Sequence, residues 1–371
     1  MKLFIKTFFC FLIFVAVYKA QPLIKTNPTT ENLKDGFDSI INSNEQENYW
    51  IGYFIQSDDG KRISIGSIYN DKFGDMTFED VVNNTSKFVQ YSNGLKPKNG
   101  KIRKSYTIIN GLFISSRELN NRTAILFRYD KNAKSAKDFS EIAVCNFDHF
   151  IDLYSYPVFW LDKIEKEKSA RFLIDLYGLS QKSEMRNELI SPIGIHNDSR
   201  EVFDFLKIIV ESDNDIEEQE DAVFWIGNQA NKEALNYLKT LVESHSSMDI
   251  REEAVTSLSF QNLPEATEQL INIARNNRND ELREEAIFGL GNKAVKRAEE
   301  ALKDFVENDP DIEIKKRAVY ALANNGNDNL DFLINIAKSN NSLSLRKSAI
   351  YSICNIDNRK VVDVLVELVK Q

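Results

Sequence analysis

The sequence predicts an α+β protein that is mostly α, with a carboxy-terminal solenoid of about five to six helix pairs behind a small β-rich domain. One alanine recurs at Ala222, Ala254, Ala286, Ala318 and Ala349, at spacings of 32, 32, 32 and 31 residues. Apolar pairs form a second ladder at nearly the same period: Leu206/Ile209, Leu238/Leu241, Leu270/Ile273, Leu302/Phe305, Leu333/Ile336 and Leu365/Leu368. Upstream the pattern changes, and β-branched and aromatic residues cluster in short runs between Trp50 and Cys145.

Each repeat holds a helix A carrying the alanine and a helix B carrying the apolar pair. Four residues after each alanine stands Ile226, Leu258, Leu290, Leu322 or Ile353. A helix advances about 100° per residue, so the alanine, the residue after it and the one four later share a face. The alanine is small because helices cross closely there. A lone pair leaves its apolar stripe uncovered, so the units must stack. Polar breaks such as Ser246-Ser247, Asn276 to Asp280, Asn308 to Pro310 and Ser339 to Ser342 separate the repeats.

Ahead of the solenoid, residues 1–20 read as an export signal: Lys2 and Lys6 precede a short apolar stretch, Thr7 to Tyr18, and Ala20 offers a cleavage point. Tyr18 fits that cleavage pattern poorly, which leaves an uncleaved anchor as the one route to a membrane. Residues 21–45 are polar and read as a linker with one short amphipathic piece. The β-rich domain, 46–150, holds Trp50–Ile55 and Ile63–Ile68 around the turn Asp58-Asp59-Gly60, expected as a hairpin. Further strands are expected at Tyr106–Ile114, Ala124–Tyr129 and Glu141–Cys145, a helix at 78–92 and a loop at 93–105. The solenoid is expected to run over 156–371, with Val158-Phe-Trp-Leu161 as a faint echo of Val223-Phe-Trp-Ile226.

The chain carries 47 Lys+Arg against 56 Asp+Glu, a net charge of −9. From Asp198 onward there are 33 acidic and 21 basic side chains, so the acidity belongs to the repeats, which argues against nucleic acid as a partner. Beyond the signal only Cys145 and Cys354 remain, in different domains, and no disulfide framework is expected.

The blocks Asp249-Ile-Arg-Glu-Glu-Ala-Val, Glu281-Leu-Arg-Glu-Glu-Ala-Ile and Ser344-Leu-Arg-Lys-Ser-Ala-Ile resemble the HEAT-like repeat family, in the short form also found in phycobilisome-linked lyases. The resemblance covers about 170 residues. It implies a right-handed α-solenoid used for protein–protein contact or as a scaffold, and similarity to exported bacterial HEAT-repeat proteins. Two departures stand at its amino-terminal end: Pro192 interrupts one helix, and the arginine is missing before Ala222.

No catalytic, cofactor or metal constellation is expected. His149, His196 and His245 lie outside any metal-ligand spacing, and no phosphate loop, dinucleotide fingerprint or Gly-x-Ser-x-Gly elbow occurs. Cys145 and His149 lie close enough in sequence for a Cys/His couple, but a strand-end thiol and a surface imidazole is the favoured reading. The run Asp213 to Asp221 reads as an acidic helix start in preference to a calcium loop. Arg251, Arg283, Lys315 and Arg346, three residues before each alanine, are expected to pair with neighbouring carboxylates and brace successive repeats. Two residues after the alanines stand Phe224, Thr256, Phe288, Tyr320 and Tyr351. This position points about 150° from the buried stripe. Phe224, Phe288, Tyr320 and Tyr351 are therefore candidate partner-binding residues. The expected function is an exported, periplasmic or extracellular, non-enzymatic scaffold that binds a protein, with no cofactor and no small-molecule substrate. The alternative is an enzyme with its site in the β-rich domain or at its junction with the repeats.

Overall fold

The computed structural model describes residues 23–25, 32–56, 121–147, 153, 156–197, 199–212, 215–229, 231–324, 326–339, 341–356, 361–363 and 365–366. The chain divides into two compact units, one running through Glu165 and one formed from Lys166 onward.

The first unit is a five-stranded sheet among the described residues, in the order β1-β5-β2-β3-β4. The strands are β1 (Leu23–Lys25), β2 (Asn48–Gln56), β3 (Arg122–Asp130), β4 (Glu141–Asn146) and β5 (Val158–Lys163). β2 is the centre, antiparallel to β3 along its full length and parallel to β5. Seven consecutive residues of β2 are buried, because both faces of the sheet are covered. On one face Trp50 and Phe54 join Leu126, Cys145, Phe147 and Trp160 in a single cluster. Gly52 lies between them, where a Cβ would sit 3.0 Å from both Leu126 and Trp160, so the site requires glycine. On the other face helix α1 (Leu33–Ser43) sets Phe37 edge-on to Phe127, Tyr129 and Tyr53. A bulge between β2 and β5 places Asp162 at φ 64°, a left-handed conformation that aspartate tolerates.

Three expectations change here. The stretch read as a linker contains α1, whose Leu33, Phe37, Ile40 and Ile41 are core residues, so this amphipathic piece belongs to the sheet unit. Val158–Leu161 is strand β5 and not a degenerate helix; its aromatic and β-branched residues pair with β2, and the helices begin at Lys166. Both edges of β2 are taken by strands distant in sequence. The hairpin partner Ile63–Ile68, the strand at 106–114, the helix at 78–92, the loop at 93–105 and the signal segment lie outside the described residues.

The second unit is the solenoid. Its helices are α2 (Lys166–Leu179), α3 (Ser183–Gly194), α4 (Arg200–Val210), α5 (Ile216–Gly227), α6 (Lys232–Ser244), α7 (Met248–Phe260), α8 (Pro264–Asn276), α9 (Asp280–Gly291), α10 (Lys296–Asn308), α11 (Ile312–Asn324), α12 (Leu330–Ser339) and α13 (Leu343–Cys354). The A helices are the odd-numbered ones from α3 to α13. Each B helix packs most closely on the A helix that follows it, and successive A helices pack side by side. The ladder alanines Ala222, Ala254, Ala286, Ala318 and Ala349 are fully enclosed. Close approaches also fall a few residues later: a Cβ on Gly227 would lie 2.7 Å from that of Ser257, and one on Gly291 would lie 2.8 Å from that of Ala321. Pro192 stays within α3, in its last turn.

The basic column acts differently from expectation. Its main partners are backbone carbonyls at the end of the preceding B helix, where acceptors have no intrahelical donor. Arg251 Nε donates to Val242 O at 2.8 Å, Arg283 Nε to Ala274 O at 2.9 Å, and Lys315 Nζ to Glu307 O at 2.8 Å. Arg283 also adds a carboxylate across repeats, reaching the buried Asp309 at 2.9 Å. Arg346 holds the same register on α13.

Inside the stack runs a second polar ladder, Gln229, Gln261 and Lys293, which sequence reading passed over. Gln261 Nε2 donates to Gln229 O at 3.1 Å, and Lys293 Nζ donates to Gln261 O at 2.6 Å. Burial pushes the Lys293 ammonium down to about 8. A depressed cation destabilises the fold below that pH, and the penalty disappears as pH rises toward the unfolded value. Lys293→Gln restores the neutral rung, so it should raise stability at pH 7 by about 1–3 kcal/mol and lose its advantage above pH 10.5, read by thermal melting. Arg283→Ala removes the side-chain donor from Ala274 O and the cation from buried Asp309, which keeps the Asp311 N–H, and should lower urea-unfolding stability by about 2–4 kcal/mol.

Candidate functional site: an acidic and aromatic groove on the A helices

The A-helix surface presents what the stack cannot bury. Phe288, Tyr320 and Tyr351, at the outward position of α9, α11 and α13, are 52%, 37% and 66% exposed, against nearly zero for the ladder alanines beside them. Tyr320 and Tyr351 meet edge to face at 6.3 Å, and Tyr320 Oη lies 3.2 Å from Ser348 Oγ. Phe224 differs: it is half-buried, edge-on to Trp225 and Phe260. Thr256 breaks the aromatic column and donates its hydroxyl to Glu285 Oε1 at 2.7 Å. Between α9 and α11 the surface opens into a groove of about 610 Å³ lined by Phe288 and Tyr320 together with Glu252, Glu281, Glu284, Glu285 and Arg317.

The carboxylates of this face crowd one another. Burial raises the pKa of Glu253 to about 7, against the hydrogen bond from Ser257, with Glu220, Glu285 and Asp221 adding repulsion. Burial also raises Glu220, beside Asp249, Asp221 and Glu217, and Glu252, beside Glu281, Asp249 and Glu285. Among the described residues lining the groove the cation is Arg317, which pairs with Glu284 at 2.7 Å. The B helices are neutralised by contrast, through the exposed cross-repeat pairs Arg200–Glu233, Lys232–Glu265, Arg297–Glu268 and Arg275–Asp304.

The other candidates have structural roles. The Cys145 thiol lies in the sheet core, 6% exposed, and His149 is outside the described residues. His196 is buried, with Nε2 2.9 Å from Ser169 Oγ and Nδ1 3.1 Å from Ile193 O, and burial lowers it to about 4. His245 caps α6 and accepts from Ser247 N at 3.2 Å. In the acidic run, Asp215 caps α5, while Glu218 is fully buried and ties α5 to Tyr177, Ser183 and Arg186. Glu218 occupies the ladder position held elsewhere by Ile250, Leu282, Ile314 and Leu345, a register signal present in the sequence that sequence reading missed. Among the described residues no His, Cys, Asp and Glu group is placed to hold a metal, and no helix is long and apolar enough to cross a membrane.

A family profile described as HEAT repeats matches residues 203–291 and 267–343. No curated protein matches the chain. Among solved structures, the complex of CpcE and CpcF of phycocyanin lyase from Nostoc sp. PCC7120 is 18% identical, over 53% of this chain and 87% of that one, with a TM-score of 0.33. Human deoxyhypusine hydroxylase in complex with glycerol is 12% identical, over 54% and 77%, with a TM-score of 0.24.

Glu253 tests the electrostatics of this face. Its folded pKa lies above the unfolded value near 4.5, so stability falls as pH rises from about 4.5 to 7. Glu253→Gln keeps the acceptor for Ser257 and should raise the melting temperature at pH 8, by up to about 3 kcal/mol of stability, with no gain at pH 4.

Proposed function

We propose that this HEAT-like repeat protein is a non-enzymatic scaffold that binds another protein through the A-helix face of its array. The observation that carries the reading is the set of exposed rings, Phe288 and Tyr320 lining an open groove and Tyr351 edge-on to Tyr320 beside it. Monomer surfaces rarely keep aromatic side chains in a row, and such rings anchor interfaces because they bury large area at low entropic cost. The neutralised B-helix face supports the choice of side, since its charges already have partners. Burial of the Cys145 thiol tells against that residue as a nucleophile. The basic and apolar residues ahead of Ala20 support an exported, periplasmic or extracellular setting in a bacterium.

A crosslinking pull-down from native envelope extract tests the idea, using the full chain and a Phe288→Ser/Tyr320→Ser variant. Both rings are exposed, so helicity should be unchanged and stability should move by less than about 1 kcal/mol. Loss of one specific crosslinked protein with folding intact is the expected result. An identical set of crosslinked proteins with wild type and variant would remove the strip as the binding surface.

A further inference from the structure

Resting on that reading, we infer that the groove takes an extended basic segment of its partner, with Lys or Arg at every third position and an apolar residue at the end that meets the tyrosines. Acidic residues in the first turns of helices are accounted for by the helix dipole, so the carboxylates alone identify no site. The open groove with its exposed rings does identify a docking surface, and the charges around it say what fits.

The charge pattern is read at the positions five, two and one residue before each ladder alanine. On α5 these are Glu217, Glu220 and Asp221; on α7 Asp249, Glu252 and Glu253; on α9 Glu281, Glu284 and Glu285. All nine are acidic. On α11 the same positions hold Glu313, Lys316 and Arg317, and on α13 Ser344, Lys347 and Ser348. The sign changes at α11, whose Arg317 pairs back to Glu284 on α9 and whose Tyr320 meets Tyr351 on α13. Three consecutive helices thus offer anionic steps, followed by an aromatic and weakly basic end.

Among the described residues Glu220, Asp249, Glu252 and Glu281 make no hydrogen bond or ion pair through their side chains. Burial raises Glu220 and Glu252, and neighbouring carboxylates add repulsion, which a cation laid between them relieves. Packed helices lie roughly 8–10 Å apart, and an extended chain advances about 3.3 Å per residue. Three residues therefore span one step, which sets the spacing of the cations.

The test is fluorescence-anisotropy titration of the full chain with three labelled peptides. One carries Lys or Arg at every third position and a terminal Leu. One has the same composition with its cations in a single block. One replaces the cations with Asp. The expected order is tightest for the spaced peptide, about tenfold weaker for the blocked one, and no binding of the acidic one. Glu220→Gln/Glu252→Gln/Glu281→Gln should abolish the preference for spacing while the melting temperature holds or rises. Equal affinity for spaced and blocked peptides, or an unaffected triple variant, overturns the inference. If the peptides fail while Phe288→Ser/Tyr320→Ser still loses its crosslinked protein, the basic segment is wrong and partner binding stands. If both fail, the surface itself falls.

Discussion

From α5 to α11 the A helices meet through small residues, and the architecture of the solenoid follows from that contact. Gly227 faces Ser257, and Gly291 faces Ala321, at distances that leave no room for a further methyl group. A single helix pair leaves such a face open to water. The stack closes it on both sides, so each repeat derives its stability from its neighbours. Close approach also decides where large side chains can go. With Ala, Gly and Ser holding the contacts from α5 to α11, Phe288 and Tyr320 on these helices stand on the outer surface, whereas Trp225 packs inward over Gly194 of α3. Helix ends brought into such a stack carry acceptors away from solvent, and Arg251, Arg283 and Lys315 reach back to them.

The two surfaces of the array are electrostatically unlike. B helices place opposite charges one repeat apart, giving pairs that are each worth little but leave no net field. A helices α5, α7 and α9 place like charges one repeat apart, and burial with repulsion lifts Glu220, Glu252 and Glu253. A chain selected for stability alone has no use for such a row. Local conflict of this kind, beside exposed rings, is where a folded protein departs from internal consistency for the sake of an interaction.

The amino-terminal sheet is held by different means. β2 is buried on both faces, and its neighbours β3 and β5 come from far along the chain. Aromatic stacking, Phe54 on Trp160 and Tyr49 on Tyr129, adds to the ladder on each side. Phe37 of α1 completes the core from a stretch whose polar composition suggests a linker.

Periodicity by itself determined the solenoid: the ladder residues that are enclosed, where the helices break, and that Phe288, Tyr320 and Tyr351 point outward, though not that Phe224 is half-buried. That information is local, because a helix converts sequence spacing directly into direction. The sequence also determined the strands Trp50–Ile55, Ala124–Tyr129 and Glu141–Cys145, since β-formers in short runs report their own conformation. Tertiary structure alone decided what those strands pair with, because strand partners are set by packing between distant segments. It moved Val158–Leu161 from helix to sheet, where the edge of β2 was available. It turned the basic column toward helix ends, because unsatisfied carbonyls lie nearer than carboxylates. It also decided that Glu218 is an anchor while Glu252 is free, a distinction that depends on which side chains a neighbouring helix brings within reach.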